Sequence, residues 1–145
     1  MKQVVVTENI HSDALAMLQA REDFQVELLR GDVSKLPEAL SGAHAVLVRT
    51  MELTEGLLAN ARRLEIVSRH GVGCDNIAVE ALSARKIPVA IAVDANTTSV
   101  VEHVMMMMLT LNKQAIRYDA LTREGGFAER GKYKTCLAQQ TRLHA

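Results

Sequence analysis

Leu64-Glu65-Ile66-Val67-Ser68, followed by Arg69-His70-Gly71-Val72-Gly73-Cys74-Asp75-Asn76 and then by Ile77 to Arg85, reads as a short β-branched strand, a glycine-bearing turn and a helix. A strand that turns directly into a helix is half of a β-α-β unit, whose next strand lies parallel to the first. The same unit recurs in both directions. Upstream, Gln3 to Thr7 precedes Ser12 to Ala20, Phe24 to Leu28 precedes Lys35 to Leu40, and Ala45 to Val48 precedes Thr54 to Ala61. Downstream, Ile87 to Val93 precedes a long helix beginning near Ser99. The pattern predicts an α/β fold: a parallel sheet of five strands with helices on both faces, plus a long C-terminal helix. Ala45-Val46-Leu47-Val48 is an unbroken apolar run, as a strand covered on both faces requires.

Helix borders need acceptors for their first N–H groups, and Asn76 and Ser99 stand where a cap is expected. Glu102, three positions after Ser99, completes a capping box. Gly125-Gly126 is expected to stop regular structure, leaving Phe127 to Ala145 as a tail.

Composition narrows the function classes. The chain has 145 residues, 48% of them apolar and 3% aromatic, with 17 Lys plus Arg against 17 Asp plus Glu. Such a chain buries its own core. A formal charge of zero offers no field toward nucleic acid or anionic membranes, and the scarcity of rings removes stacking platforms. No nucleic-acid partner is expected. The longest apolar run, Val104 to Leu109, is far shorter than the roughly 20 residues of a membrane span, so no membrane is expected either. Cys74 and Cys136 lack the spacing of a metal knuckle or redox pair, and the start of the chain reads as a buried strand rather than an export signal. A reduced, cytoplasmic protein without a metal is the expectation.

The turn over residues 69–76 is where chemistry is expected. Successive N–H groups in a glycine turn beside a helix start form a concave site for a carboxylate or phosphate. A tight turn whose glycines only permit positive φ accounts for the same spacing. The dinucleotide fingerprint does not fit, because Asn76 stands where its third glycine belongs. Arg49 follows the strand Ala45 to Val48, at the sheet edge where ligands of parallel sheets bind. It suits either an anion clamp or a surface pair with Glu52. His70 and His103 have no sequence-evident partner, and Cys74 suits a small turn filler better than an activated thiol. Met105 to Met108 span more than one helical turn, so they cannot all face one neighbour.

Four motifs in this order resemble the D-isomer-specific 2-hydroxyacid dehydrogenases, which include phosphoglycerate, glycerate and formate dehydrogenases. They are Val48-Arg49-Thr50 with Leu53-Thr54, Gly71 to Ile77, Ile87-Pro88-Val89, and Asn96-Thr97-Thr98-Ser99-Val100-Val101-Glu102-His103. The resemblance runs from about Val46 to about Arg130; the first 45 residues agree in strand and helix pattern alone. It implies a flavodoxin-like substrate domain over residues 1–97, a hinge near Asn96, the first helical segment of a nucleotide domain over 98–130, and an unrelated tail over 131–145. By the same resemblance, the backbone at Val72 and Gly73 holds the substrate carboxylate and Arg49 engages an anionic group. Asn96 is the hinge amide that touches substrate, Thr97 lies close to the cofactor, and the cofactor is NAD.

The chain then departs from the family. Where members enter a strand and a Gly-x-Gly-x-x-Gly turn, this chain reads Thr135-Cys136-Leu137-Ala138-Gln139-Gln140-Thr141-Arg142-Leu143-His144-Ala145. A frameshift, a truncation or a gene fragment is the expectation, with the family's catalytic arginine, acid and histidine absent. No catalytic residue is therefore assigned, no cofactor is expected on this chain, and no activity is expected of it alone. Its expected ligand is a small carboxylate, a 2-hydroxy or 2-keto acid, and its expected partner a second copy docked through Ser99 to Leu111. The alternative is a non-catalytic carboxylate-binding or self-associating domain. Which acid binds, and NAD versus NADP, stay open.

Overall fold

The computed structural model describes residues 1–132, apart from the side chain of Arg130; the expected tail from Tyr133 onward, Cys136 included, lies outside the described residues. The chain divides into a unit spanning Met1–Ala95 and a second that begins at Asn96.

The first unit is an α/β layer. In chain order it contains β1 (Lys2–Val6), α1 (Ser12–Gln19), β2 (Phe24–Leu28), α2 (Leu36–Gly42), β3 (Ala45–Val48), α3 (Glu55–Asn60), β4 (Ile66–Arg69), α4 (Val79–Ala84) and β5 (Val89–Ile91). All five strands are parallel, in the order β2-β1-β3-β4-β5. The register aligns Val5 with Val46, Val46 with Val67 and Val67 with Val89, so one residue type lines one face. Against that face pack Leu36, Ala39 and Leu40 of α2, Leu58 of α3 and Leu82 of α4. Val5, Val46 and Val67 are at most 1% exposed there, which makes this layer the main hydrophobic core. The other face is built from Val4, Ala45, Leu47 and Ile66, with Leu18 of α1 beside Phe24 and Leu47. It is less fully covered: Ile66 keeps 38% of its surface.

Local chemistry sets the element borders. The Thr54 hydroxyl accepts from the Leu57 N–H at 3.3 Å and opens α3, and Pro37 sits in the first turn of α2, where its missing donor costs nothing. Asp32 accepts from the Ser34 N–H at 3.1 Å, starting a short 3-10 turn over Val33–Lys35 ahead of α2.

The second unit is helical among its described residues: α5 (Thr97–Asn112), α6 (Ala115–Arg123) and a 3-10 segment over Gly126–Lys132. Two expectations need correction here, the start of α5 and the stop at Gly125-Gly126. Helix α5 starts two residues before Ser99: Val100 N–H reaches the Asn96 carbonyl at 2.9 Å, so Ser99 is already inside the first turn and Asn96 takes the cap position without a side-chain bond. The long helix is α5 itself, and Gln114, with a left-handed φ of +49°, separates it from α6. Gly125-Gly126 ends the α-helix but not regular structure, since the 3-10 segment follows at once. Met105 to Met108 are each 45–53% exposed.

Candidate functional site

The carboxyl ends of β3 and β4 lie side by side, with Val48 registered against Arg69 and the His70 N–H bonded to the Val48 carbonyl at 2.8 Å. Two loops leave this edge. One, over residues 49–53, carries Arg49; the other, over residues 70–76, carries Val72 and Gly73.

The first loop folds around a carboxylate. Glu8, two residues beyond β1, accepts from the backbone N–H groups of Arg49 at 2.8 Å, Thr50 at 2.8 Å and Met51 at 3.1 Å, and from the Thr50 and Thr7 hydroxyls. Three successive donors converging on one anion form a nest. Burial pushes the Glu8 carboxyl up, but the Thr50 hydroxyl and the N–H groups of Met51, Thr50 and Arg49 outweigh it and bring its pKa down from 4.5 to about 2. The loop's backbone is thereby fixed while the exposed Arg49 side chain keeps its donors: among the described residues its guanidinium has no protein partner, and the pair with Glu52 does not form.

The second loop answers the question about its glycines differently at each position. Gly71 has φ +153°, and a Cβ there would lie 2.6 Å from Nη1 of Arg69, so the turn itself demands glycine. Gly73 has no such φ, and a Cβ would meet only Asp75 Oδ2, at 3.3 Å. Among the described residues the N–H groups of Val72 and Gly73 donate to no protein group, and both residues are exposed. A bare backbone with two unused donors can accept a carboxylate oxygen or a phosphate.

Asn76 does not cap a helix, which corrects the expectation above. Helix α4 begins at Val79, with Ala78 in the cap position and no side-chain bond. The Asn76 amide is taken up elsewhere: its Nδ2 donates to the Met51 carbonyl at 2.7 Å and its Oδ1 accepts from Arg69 Nε at 3.1 Å. Arg69 also donates through Nη1 to the His70 carbonyl at 2.7 Å.

Arg49, Val72 and Gly73 thus stand on adjacent loops of one sheet edge. Asn96 and Thr97 open the second unit, in the cap position and first turn of α5, and both are exposed. His70 and His103 are exposed, and Cys74 is a half-buried free thiol. Among the described residues no group of His, Cys, Asp and Glu could hold a metal, and no helix is long and apolar enough to cross a membrane. Sequence reasoning missed Glu8, Arg69 and the true role of Asn76. The position of Glu8 just past a strand at the ligand edge was the available signal.

Comparison with known proteins agrees with this architecture. Residues 4–141 match the model of the D-isomer specific 2-hydroxyacid dehydrogenase family, catalytic domain. The chain is 32% identical over 136 residues to the D-3-phosphoglycerate dehydrogenase of Methanocaldococcus jannaschii, covering 92% of this chain and 25% of that protein. Among solved structures, a Pyrococcus horikoshii OT3 protein superposes with a TM-score of 0.77 at 24% identity, over 92% of this chain and 41% of the other. The D-lactate dehydrogenase of Aquifex aeolicus, complexed with NAD and lactic acid, gives 0.73 at 26% identity, over 87% of this chain and 38% of the other. The chain therefore spans about a quarter of the length of the curated relative. With the family model matching nearly all of it, from residue 4 to residue 141, this chain belongs to the D-isomer specific 2-hydroxyacid dehydrogenase family.

Proposed function

We propose that this chain is the acid-holding part of an NAD-dependent D-2-hydroxyacid dehydrogenase. The unused N–H groups of Val72 and Gly73 carry the reading, because they offer a carboxylate two donors on a backbone that no side chain covers. Arg49, on the neighbouring loop and without a protein partner among the described residues, supplies the planar fork for a second anionic group. Asn96 touches the substrate and Thr97 lies near the cofactor, as the family resemblance implies. Free Cys74 suits a reducing, cytoplasmic setting.

NAD supplies the hydride acceptor when it is bound to a family member. The described residues do not fit it. Pyrophosphate is held where a strand enters a glycine-rich turn and a helix, and the described part of the second unit is helical throughout. In the first unit the glycine turn carries Asn76 in place of the third glycine. On this reading the described residues bind a small 2-hydroxy or 2-keto acid.

Titration of the isotope-labelled chain with pyruvate, glyoxylate, D-glycerate and 3-phosphoglycerate tests the proposal. Shifts at the Val72 and Gly73 amides at millimolar acid are expected; silent amides with all four acids refute it. A second reading, self-association through Ser99 to Leu111, is favoured by α5 itself: Val104 is 43% exposed, Leu109 48% and Leu111 76%, alongside the four methionines. A homo-oligomer in sedimentation is its expected result.

A further inference from the structure

Asn76, at the end of the glycine loop, bonds through its side chain both to the arginine loop and to Arg69. Its side chain donates to Met51 in the arginine loop and accepts from Arg69 beneath the glycine loop. Its backbone carbonyl accepts from the Leu53 N–H at 2.8 Å, next to a parallel bridge between Leu53 and Ile77 that the Ala78 N–H closes on the Leu53 carbonyl at 3.0 Å. Each end of the amide finds the complementary group, so a carboxylate, which has no donor, cannot replace it. Glu8 also grips the arginine loop, through the N–H groups of Arg49, Thr50 and Met51, so that loop has two anchors.

We infer that Asn76 is a positioning residue: it fixes the spacing between Arg49 and the Val72–Gly73 donors, and so selects acids that carry two anionic groups at a set separation. The inference rests on the proposed acid site and adds the device that sets its geometry. A ligand gripped at two points gains from having both points pre-placed, because the second contact forms without a further ordering cost. A ligand gripped at one point gains nothing from the spacing.

The substitution that tests this is Asn76→Ala. It removes the donor to the Met51 carbonyl and the acceptor for Arg69 Nε together. With the full chain, Asn76→Ala, which adds no charge near the anion, is expected to weaken binding of 3-phosphoglycerate about tenfold, while binding of acetate and of inorganic phosphate, each satisfied by one loop, stays within about twofold. Hydrogen exchange at the Met51 and Leu53 amides is expected to quicken about tenfold, with β1 amides unchanged as the control for folding. An unchanged affinity for 3-phosphoglycerate, or an equal loss with acetate, overturns the inference. If the natural chain binds none of the probes, the proposed function fails, and exchange then decides: unaltered Met51 and Leu53 amides sink the role of Asn76, and faster ones uphold it. Should Asn76→Ala prove unfolded, Asn76→Asp, which keeps an acceptor for Arg69 Nε and sets an oxygen against the Met51 carbonyl, carries the exchange comparison.

Discussion

Replacing Glu8 by glutamine isolates the electrostatic contribution of the loop clasp. In the folded chain the Glu8 carboxyl stays ionised down to about pH 2, whereas unfolding returns it to its ordinary value of 4.5. The ionised form is thus favoured by folding. Its stabilisation is complete above the unfolded pKa and is lost as pH falls from about 4.5 to about 2. At face value that depression amounts to about 3 kcal/mol. The network opens to solvent at Thr50, which is exposed, so roughly half of this, about 1.5 kcal/mol, is the sounder expectation. Glutamine keeps the shape and one acceptor but turns an amide toward the Thr50 N–H. Urea unfolding of the natural chain and Glu8→Gln at pH 7 and pH 3 gives the answer as a difference of differences. Asp23, Asp32 and Glu65 are also held below their usual range and lose their own partners in acid, and the subtraction removes their share. The variant should be weaker by about 1.5 kcal/mol at pH 7 and by about 0.6 kcal/mol at pH 3, where part of the stabilisation is already lost. Identical pH dependence for the two proteins would refute the clasp.

Gly71→Ala places a methyl 2.6 Å from Arg69 Nη1 at φ +153° and should lower stability by about 2 kcal/mol in urea, whereas Gly73→Ala should leave the urea midpoint unmoved and weaken acid binding about tenfold by covering the free N–H groups. Equal stability losses for the two would erase the distinction between them. Leu53→Ala removes a fully buried side chain from the strand-like link between the loops and should cost about 2–4 kcal/mol by thermal or urea unfolding; a loss below 1 kcal/mol would mean that its neighbours close the gap. Aspartate at Met106 and Met107 should dissociate any assembly built through α5, and an unchanged sedimentation coefficient in an oligomeric chain would move the contact elsewhere.

The strands were legible because parallel strands carry little but β-branched and aliphatic residues: Ala45 to Val48 was read to the residue, and β1 and β4 to within two. Helix ends were less so. Asn76 sits near a helix and has the side chain of a cap, yet Met51 lies 25 positions away in sequence and claims its donor. Ser99 and Glu102 have capping-box spacing, yet the backbone at Asn96 had already entered the turn. The break at Gln114 carries neither glycine nor proline, so local composition gave no notice of it. Within the candidate site, Arg49 and the glycine loop were visible as residue types at a sheet edge. Glu8 was not, because an acid after a strand looks solvated until the donors folded around it are known.

The backbone donors that close on Glu8 lie 41 to 43 residues further along the chain. As the polypeptide leaves the ribosome, this carboxyl is therefore an ordinary acid until the third strand has been made and has slotted in beside the first. Its acidity dates one event, the closing of a long crossover, which in a sheet of this kind is the slow step of assembly.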